Sequence, residues 1–325
     1  MLNTHFPVYV SRMRDLTPRV REYLLSSVDG SALPPWHAGA HTALYLRSPE
    51  RGLIARHYSL VGGQGLQDDA PHTWRVAVQR EDTGRGSAWI HAHVQEGMAL
   101  EVGAPVNQFP LDRRDAAVLL LAGGIGVTPI YAMARSLVRR RRPFQLVYVG
   151  RDAADMAYHG ELAELCGERA HFHYSRTQGR LDVQALLHQQ RAGTRVYVCG
   201  PQTLITTVHS AAHGLGWPAA QVQSEAFGAS LQPHDQAFDL TLRRSGRTLR
   251  VGADASILDT LVSHGVQTLW DCRRGECGLC TLPVLDAEGG IEHRDHCLSE
   301  TDKTAGQSLC ICVSRPQGAA LVLDV

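Results

Sequence analysis

Between Asp271 and Cys280 the chain reads Asp-Cys-Arg-Arg-Gly-Glu-Cys-Gly-Leu-Cys, spacing three cysteines as Cys272-x4-Cys277-x2-Cys280. Three thiolates at this spacing, completed by a distant fourth cysteine, form the plant-type pattern for a [2Fe–2S] cluster. Thiolates that converge on one small cluster need a backbone that curls around it. Gly275 and Gly278 permit that curl without side-chain clashes, and amide groups in the curl can point at the sulfurs. Arg273 and Arg274 add positive charge beside a negative centre. A zinc knuckle is the competing reading, but structural zinc usually takes its ligands as two close pairs. The interleaved glycines and single distant partner fit that less well. For the fourth ligand, Cys310 and Cys312 both lie on Leu309-Cys-Ile-Cys-Val313, where strand alternation would place both on one face. Cys297 is also close in sequence. Spacing alone leaves Cys310 and Cys312 equivalent.

A second chemical signal is Leu121-Ala-Gly-Gly-Ile-Gly-Val-Thr-Pro129, a glycine turn between an apolar run and a helix-like stretch. Glycines there let backbone amides approach a pyrophosphate at a helix N-terminus. Cys199-Gly200-Pro201 ends a later strand, where open α/β sheets bind ligands. A third signal is Arg56-His-Tyr-Ser59: the Arg and Ser suit a phosphate, and the Tyr suits a flavin ring. Gly84-Arg-Gly-Ser87 reads as a turn able to close around the same phosphate.

The elements that must position these groups follow from residue rhythm. Up to Pro110, short β-rich runs (Ala43 to Leu46, His57 to Val61, Trp74 to Val78) alternate with glycine turns, as in a small antiparallel β-barrel. From Ala116 the order becomes strand, glycine turn, helix, strand, which predicts an α/β domain with a parallel sheet. The run Ala116 to Ala122 is apolar throughout, as expected for a strand covered on both faces. Its helix carries Pro129 near the first turn and ends in the basic run Arg139 to Arg142. Further strands are expected at Phe144 to Val149, His171 to Tyr174 and Arg195 to Cys199. Residues 229–236 are polar and linker-like. A third unit follows, with a hairpin turned at Ser245-Gly246 and a helix over Ser256 to His264 presenting Ile257, Leu258, Leu261 and Val262 on one face.

Composition narrows the function. Lys plus Arg equals Asp plus Glu at 32 each, so no global charge draws in nucleic acid or anionic lipid. The N-terminal stretch has no apolar run long enough for a signal peptide or membrane span, so a soluble cytoplasmic protein is expected. In a reducing compartment the eight cysteines, six of them after residue 270, point to metal binding rather than disulfides. His171 and His173 alternate along a strand and read as ordinary half-buried residues. His293, Arg294 and His296 read as a loop close enough to the cluster to face a partner.

Taken in order, these motifs resemble the phthalate dioxygenase reductase family, which includes the reductases of vanillate and related O-demethylases. The likeness runs through R-x-Y-S, G-x-G-S, G-G-I-G-x-T-P, C-G-P, E-x-F-G (Glu225-Ala-Phe-Gly228) and the cysteine loop, covering nearly the whole chain. It implies an FMN-binding β-barrel over 1–110, an NAD(P)H-binding α/β domain over 111–229 and an α+β β-grasp ferredoxin domain over 237–325. FMN would then be held by Arg56, His57, Tyr58 and Ser59, with Gly86 and Ser87 near its phosphate and Phe227 close to the flavin. Gly124, Gly126 and Thr128 would contact the nucleotide, and Cys199 and Gly200 would face the nicotinamide. Ser59, Thr128, Cys199 and Glu225 would orient the reactants. The family's final ligand directly precedes Val-Ser-Arg, which implies Cys312, with Cys272, Cys277 and Cys280, as the cluster set.

The implied activity is an electron relay. Nicotinamide gives a hydride, a cluster takes one electron, and a flavin between them accepts pairs and releases singles. Plant-type clusters lie near about −400 mV, low enough to reduce a Rieske-type terminal oxygenase. Another acceptor, such as a non-Rieske hydroxylase or a free carrier, is the alternative.

Two departures from the family pattern are a glycine missing from Arg85-Gly-Ser87 and Val106 where an Arg is usual. A third bears on the nucleotide. The resemblance favours NADH, yet Ser175-Arg176 follows a strand where an Arg could pair with the 2′-phosphate of NADPH. If Arg176 serves that purpose, Arg176→Ala lowers kcat/KM for NADPH about tenfold, the worth of one charge-assisted hydrogen bond, and spares NADH. Equal effects on both nucleotides, measured by steady-state oxidation, would remove the phosphate role.

Overall fold

The structure is a computed structural model that describes residues 5–48, 52–62, 71–81, 85–226, 232, 234–253, 255–270, 275, 278–295 and 297–325. It divides into two compact units, residues 1–227 and 228–325. No helix among the described residues is long and apolar enough to cross a membrane.

The first unit opens with β1 (His5–Thr17), β2 (Val20–Ser27), β3 (Ala40–Ser48), β4 (Gly52–Ser59), β5 (Thr73–Gln79), a helix α1 (Arg85–His93), β6 (Ala99–Gly103) and β7 (Val106–Asn107). These strands form one antiparallel sheet in the order β4-β3-β6-β1-β2-β5, with β7 also on β3. Just past β4, Val61 N–H donates to the Arg75 carbonyl at 2.8 Å and Gly62 bridges Arg75 on β5. The chain just beyond one edge strand meets the other edge strand there. Inside lie Val8, Leu25, Leu44, Trp74 and Val76, and Ile90 on α1 packs against them. The expected turn at Gly84–Ser87 is not what forms: Arg85 starts α1, so Gly86 and Ser87 occupy its first turn, while Gly84 lies outside the described residues.

The rest of this unit alternates strand and helix: β8 (Val118–Gly123), α2 (Val127–Arg139), β9 (Phe144–Gly150), α3 (His159–Cys166), β10 (Ala170–Tyr174), α4 (Ser175–Gln178), α5 (Val183–His188), β11 (Arg195–Gly200), α6 (Gln202–Gly214) and β12 (Val222–Ala226). Every pairing in the sheet β10-β9-β8-β11-β12 is parallel. All six residues of β8 are buried, because helices cover both its faces. In chain order the sheet runs 3-2-1-4-5, so its direction of growth reverses between β8 and β11. That reversal is where such sheets leave a crevice at the strand C-termini. The basic helix end is shorter than expected: α2 stops at Arg139, and Arg141 takes φ 52°.

A buried charge network joins the barrel strands to the parallel-sheet half. Arg75 on β5, 5% exposed, pairs with Glu22 on β2 at 3.3 Å and with Glu161 on α3 at 3.5 Å. Its guanidinium also lies 5.3 Å and 5.5 Å from the ring centres of Tyr131 and Tyr158. Arg14 on β1 pairs with both carboxylates, and Tyr131 donates to Glu161 at 2.8 Å. Burial pushes the Glu161 carboxyl up, but Arg14, Tyr131 and Arg75 together hold it below the ordinary range. Arg75 is 53 or more positions from each of its partners, so nothing in the local pattern announces the network.

The second unit contains β13 (Phe238–Leu242), β14 (Arg247–Val251), α7 (Ile257–Ser263), β15 (Thr281–Ala287), β16 (Ile291–Glu292), α8 (Glu300–Ala305), β17 (Ser308–Cys310), β18 (Arg315–Pro316) and β19 (Ala320–Leu323). Its main sheet runs β14-β13-β19-β15-β17, with β13 and β19 parallel and the hairpin turned where expected. Ser256 caps α7 by accepting from Asp259 N–H. Ile257, Leu258 and Leu261 are buried, but Val262 is 38% exposed. One residue beyond Leu261, it has rotated out of the apolar stripe.

Arg75→Met removes the buried cation that the two carboxylates share and should lower the unfolding free energy by about 3 kcal/mol. The network also sets a pH trend. Glu161 contributes stability above the usual carboxylate range, and that share is lost as pH falls through its lowered folded value. Urea unfolding of the variant across pH checks both, and an unchanged midpoint would show the network to be energetically idle.

Candidate functional site

At the sheet reversal, β8 and β11 end side by side. Cys199 stands in register with Ala122 on one side and Glu225 on the other, and all three are buried. The turn after β8 runs against the end of β11 so tightly that a Cβ on Gly126 would collide with the Cys199 carbonyl. The glycine is therefore required by backbone contact at this crevice. Thr128, in the first turn of α2, is 2% exposed and donates to the Ile125 carbonyl at 3.0 Å. Tyr148 donates to the Gly124 carbonyl at 3.1 Å. The expected residues Gly124, Gly126, Thr128, Cys199, Gly200 and Glu225 thus gather at the C-terminal ends of adjacent parallel strands. Arg176, on α4 beyond β10, is exposed and pairs with Asp152 at 2.8 Å.

In the barrel, Arg56 lies across Gly86, where an added Cβ would collide with its guanidinium. A cation is thereby set over the first turn of α1, whose amides lack intrahelical partners. Such a cradle suits a phosphate. Arg56 and Tyr58 share one face of β4 by strand alternation, whereas His57 takes the other, 5.3 Å ring to ring from His41. The Ser87 hydroxyl oxygen accepts from Glu81 N–H at 3.1 Å. Ser59 is 4% exposed, and its hydroxyl makes no hydrogen bond among the described residues. A buried hydroxyl without a partner costs free energy unless a ligand satisfies it. Phe227 lies outside the described residues.

In the second unit, the Cys280 and Cys312 sulfurs are buried and 3.1 Å apart, close enough to share one metal. Cys272 and Cys277 lie outside the described residues. Gly275 has φ +74°, and a Cβ there would come 2.8 Å from Asp295 Cα and 2.8 Å from Val313 Cγ2, so the curl does require glycine. The expected alternation of Cys310 and Cys312 along one strand is not formed. Cys310 ends β17, and Val313 and Ser314 both donate back to its carbonyl, placing Cys312 in a turn. That turn brings Cys312 to Cys280, while Cys310 lies 3.1 Å from Cys297.

Asp295 ties these pieces together. Its buried carboxylate accepts from Ser314 at 3.0 Å, two residues past Cys312, and from Leu298 N–H at 3.0 Å, one past Cys297. His293 Nδ1 lies 3.4 Å away. Burial pushes this carboxyl up, but those donors hold it below the ordinary range. The expected partner-facing loop is therefore corrected in part. The His293 and Arg294 side chains are only 9% exposed, and Arg294 pairs with Asp235 at 3.1 Å and Glu292. His296 lies outside the described residues. Arg315 is equally internal: its guanidinium donates to the carbonyls of Ala255, Gln236 and Gly252 and lies over Phe238.

Comparison with known proteins agrees with this geometry. Residues 105–222 match the family model described as dimethylamine monooxygenase subunit DmmA-like, N-terminal domain. Residues 240–317 match the 2Fe-2S iron-sulfur cluster binding domain. The chain is 40% identical to the heme-dependent oxidative N-demethylase beta subunit of Ectopseudomonas mendocina (strain ymp), across the whole of both chains. It is 34% identical to the vanillate O-demethylase oxidoreductase of Pseudomonas sp. (strain HR199 / DSM 7063), covering 98% of this chain and 99% of the relative. Among solved structures, phthalate dioxygenase reductase, titled as a modular structure for electron transfer from pyridine nucleotides to [2Fe–2S], superposes with TM-score 0.83 and 32% identity, covering 99% and 98% of the two chains.

Asp295→Ala should strip two buried donors of their acceptor, lowering the stability of residues 228–325 by about 2 kcal/mol and most of the iron content with it. Asp295→Asn should recover part of both. Full iron in the alanine variant, by metal analysis, would show that the cysteines do not depend on this tie.

Proposed function

The chain belongs to the phthalate dioxygenase reductase family, and from that membership we propose that it draws electrons from NADH through FMN to its own [2Fe–2S] cluster and hands them to a separate terminal oxygenase. It is an NAD(P)H-dependent flavin and iron–sulfur oxidoreductase, a reductase component of an oxygenase system. The finer assignments are FMN as the flavin, NADH over NADPH, and domains over 1–110, 111–229 and 237–325. The observation that carries the reading is the buried Cys280–Cys312 pair beside a glycine curl, in one chain with a nucleotide crevice and an arginine–helix cradle.

Bound flavin would supply the exchange between hydride pairs and single electrons. The chain's own residues do the positioning. Arg56 and the first-turn amides of α1 hold the phosphate, and Tyr58 shares the Arg56 face. Ser59 would offer a buried hydroxyl to the flavin, and the family likeness assigns Phe227 to the flavin as well. Gly126 lets the nucleotide backbone approach the sheet end, where Thr128, Cys199 and Glu225 orient the nicotinamide. Cys272, Cys277, Cys280 and Cys312 hold the cluster. No side chain need act as a general acid or base, so the task is approach and exclusion of water.

The acceptor class has two readings. The vanillate-type relatives support a Rieske-type oxygenase. The 40%-identical relative is named for a heme-dependent oxidative N-demethylase, which supports a heme-dependent terminal component instead. Pairing the purified chain with one oxygenase of each class and measuring NADH-dependent turnover separates them.

Cys312→Ser should abolish the cluster signal and cut NADH-driven reduction of a one-electron protein acceptor by at least about a hundredfold, since roughly 3 kcal/mol or more is lost with the carrier. Flavin reduction by NADH should be unaffected. Retention of the cluster in this variant would move the fourth ligand to Cys310.

A further inference from the structure

With Cys312 as the fourth ligand, two nearby cysteines are left over. Cys297 and Cys310 are both free thiols, 3.1 Å apart, closer than unbonded sulfurs normally rest. Cys297 is partly exposed and Cys310 is buried. A Cβ on Gly278 would lie 3.7 Å from the Cys297 sulfur, so the pair adjoins the loop at Gly278, just before Cys280. Asp295 fixes the backbone next to Cys297, and Thr281 Oγ1 lies 3.3 Å from the Cys310 sulfur. The pair is thus held on both sides while one member faces solvent.

We propose that Cys297 and Cys310 form a reversible disulfide, a site at which a peroxide oxidises the protein beside its cluster loop. The proposal rests on the reading that Cys312, not Cys310, is the fourth ligand. The Cys297 sulfur attacks one peroxide oxygen and breaks the O–O bond, leaving a sulfenic acid and releasing water. The Cys310 sulfur then displaces that oxygen as a second water and forms the S–S bond. Two thiols lose two protons and two electrons, and one peroxide becomes two waters. A small side-chain rotation closes the remaining gap.

Burial, the neighbouring Cys310 and the Asp295 carboxylate push the Cys297 thiol up to about 12. Cys297 is therefore a slow nucleophile at neutral pH, and the bond forms under sustained exposure rather than in a brief pulse. Intracellular disulfides that do form are usually of this sensing kind.

The test uses the cluster-loaded protein, its iron measured before and after treatment with hydrogen peroxide. Remaining thiols are alkylated, the chain is digested without reduction, and the peptides are weighed. The expected product joins the Cys297 and Cys310 peptides, two hydrogens lighter than their sum, and separates on adding dithiothreitol. Cys297→Ala and Cys310→Ala should each abolish it while keeping the iron. Alkylation of both thiols after peroxide, or a bond from Cys310 to Cys280 or Cys312, would overturn the proposal. So would loss of iron in Cys310→Ala with iron kept in Cys312→Ala, an outcome that leaves the electron-transfer reading intact.

Discussion

The second unit depends on one buried carboxylate. An iron–sulfur site needs thiolates from distant parts of the chain at fixed separations, and chain entropy opposes every such convergence. Asp295 opposes that entropy by accepting hydrogen bonds beside Cys297 and just beyond Cys312, while Gly275 packs on its backbone. Three cysteine-bearing segments are thus referred to one anchor. The arginines nearby perform a similar service at larger scale. Arg294 fastens residue 235 to the strand at Glu292, and Arg315 fastens residues 236, 252 and 255. Side chains that would suit a docking surface are spent on internal order.

In the first unit the equivalent constraint is close backbone approach. The crevice at the end of β8 and β11 exists because Gly126 fits against the Cys199 carbonyl, and the barrel cradle because Gly86 leaves room for Arg56. Both are spaces made by a missing Cβ. The Arg75 network then ties barrel and sheet within the unit.

Much of this was legible in residue order, for identifiable reasons. Val118–Gly123 is apolar on both faces and can be little other than a covered strand. Cysteine spacing and the glycines between located the cluster loop, and Gly275 does adopt a left-handed backbone. The first turn of α1 was read as a loop because Gly84-Arg-Gly-Ser87 carries turn residues, and a short helix has too few apolar positions to show its period. His293 and Arg294 read as exposed because charge normally is. Their partners decide otherwise, and Asp235 lies 59 positions away. Strand alternation treated Cys310 and Cys312 alike. The turn that separates them is set by hydrogen bonds that spacing does not encode.

The unifying claim is that one polypeptide carries a nucleotide-reducible flavin in electronic contact with an iron–sulfur centre. The most direct measurement is an anaerobic titration of the purified, cofactor-replete chain with NADH, following visible absorbance and electron paramagnetic resonance together. The account predicts that the flavin bleaches and that the rhombic signal of a reduced [2Fe–2S] cluster appears without added protein. A flavin that bleaches while the cluster stays oxidised and silent, or a preparation with no cluster at all, would contradict it.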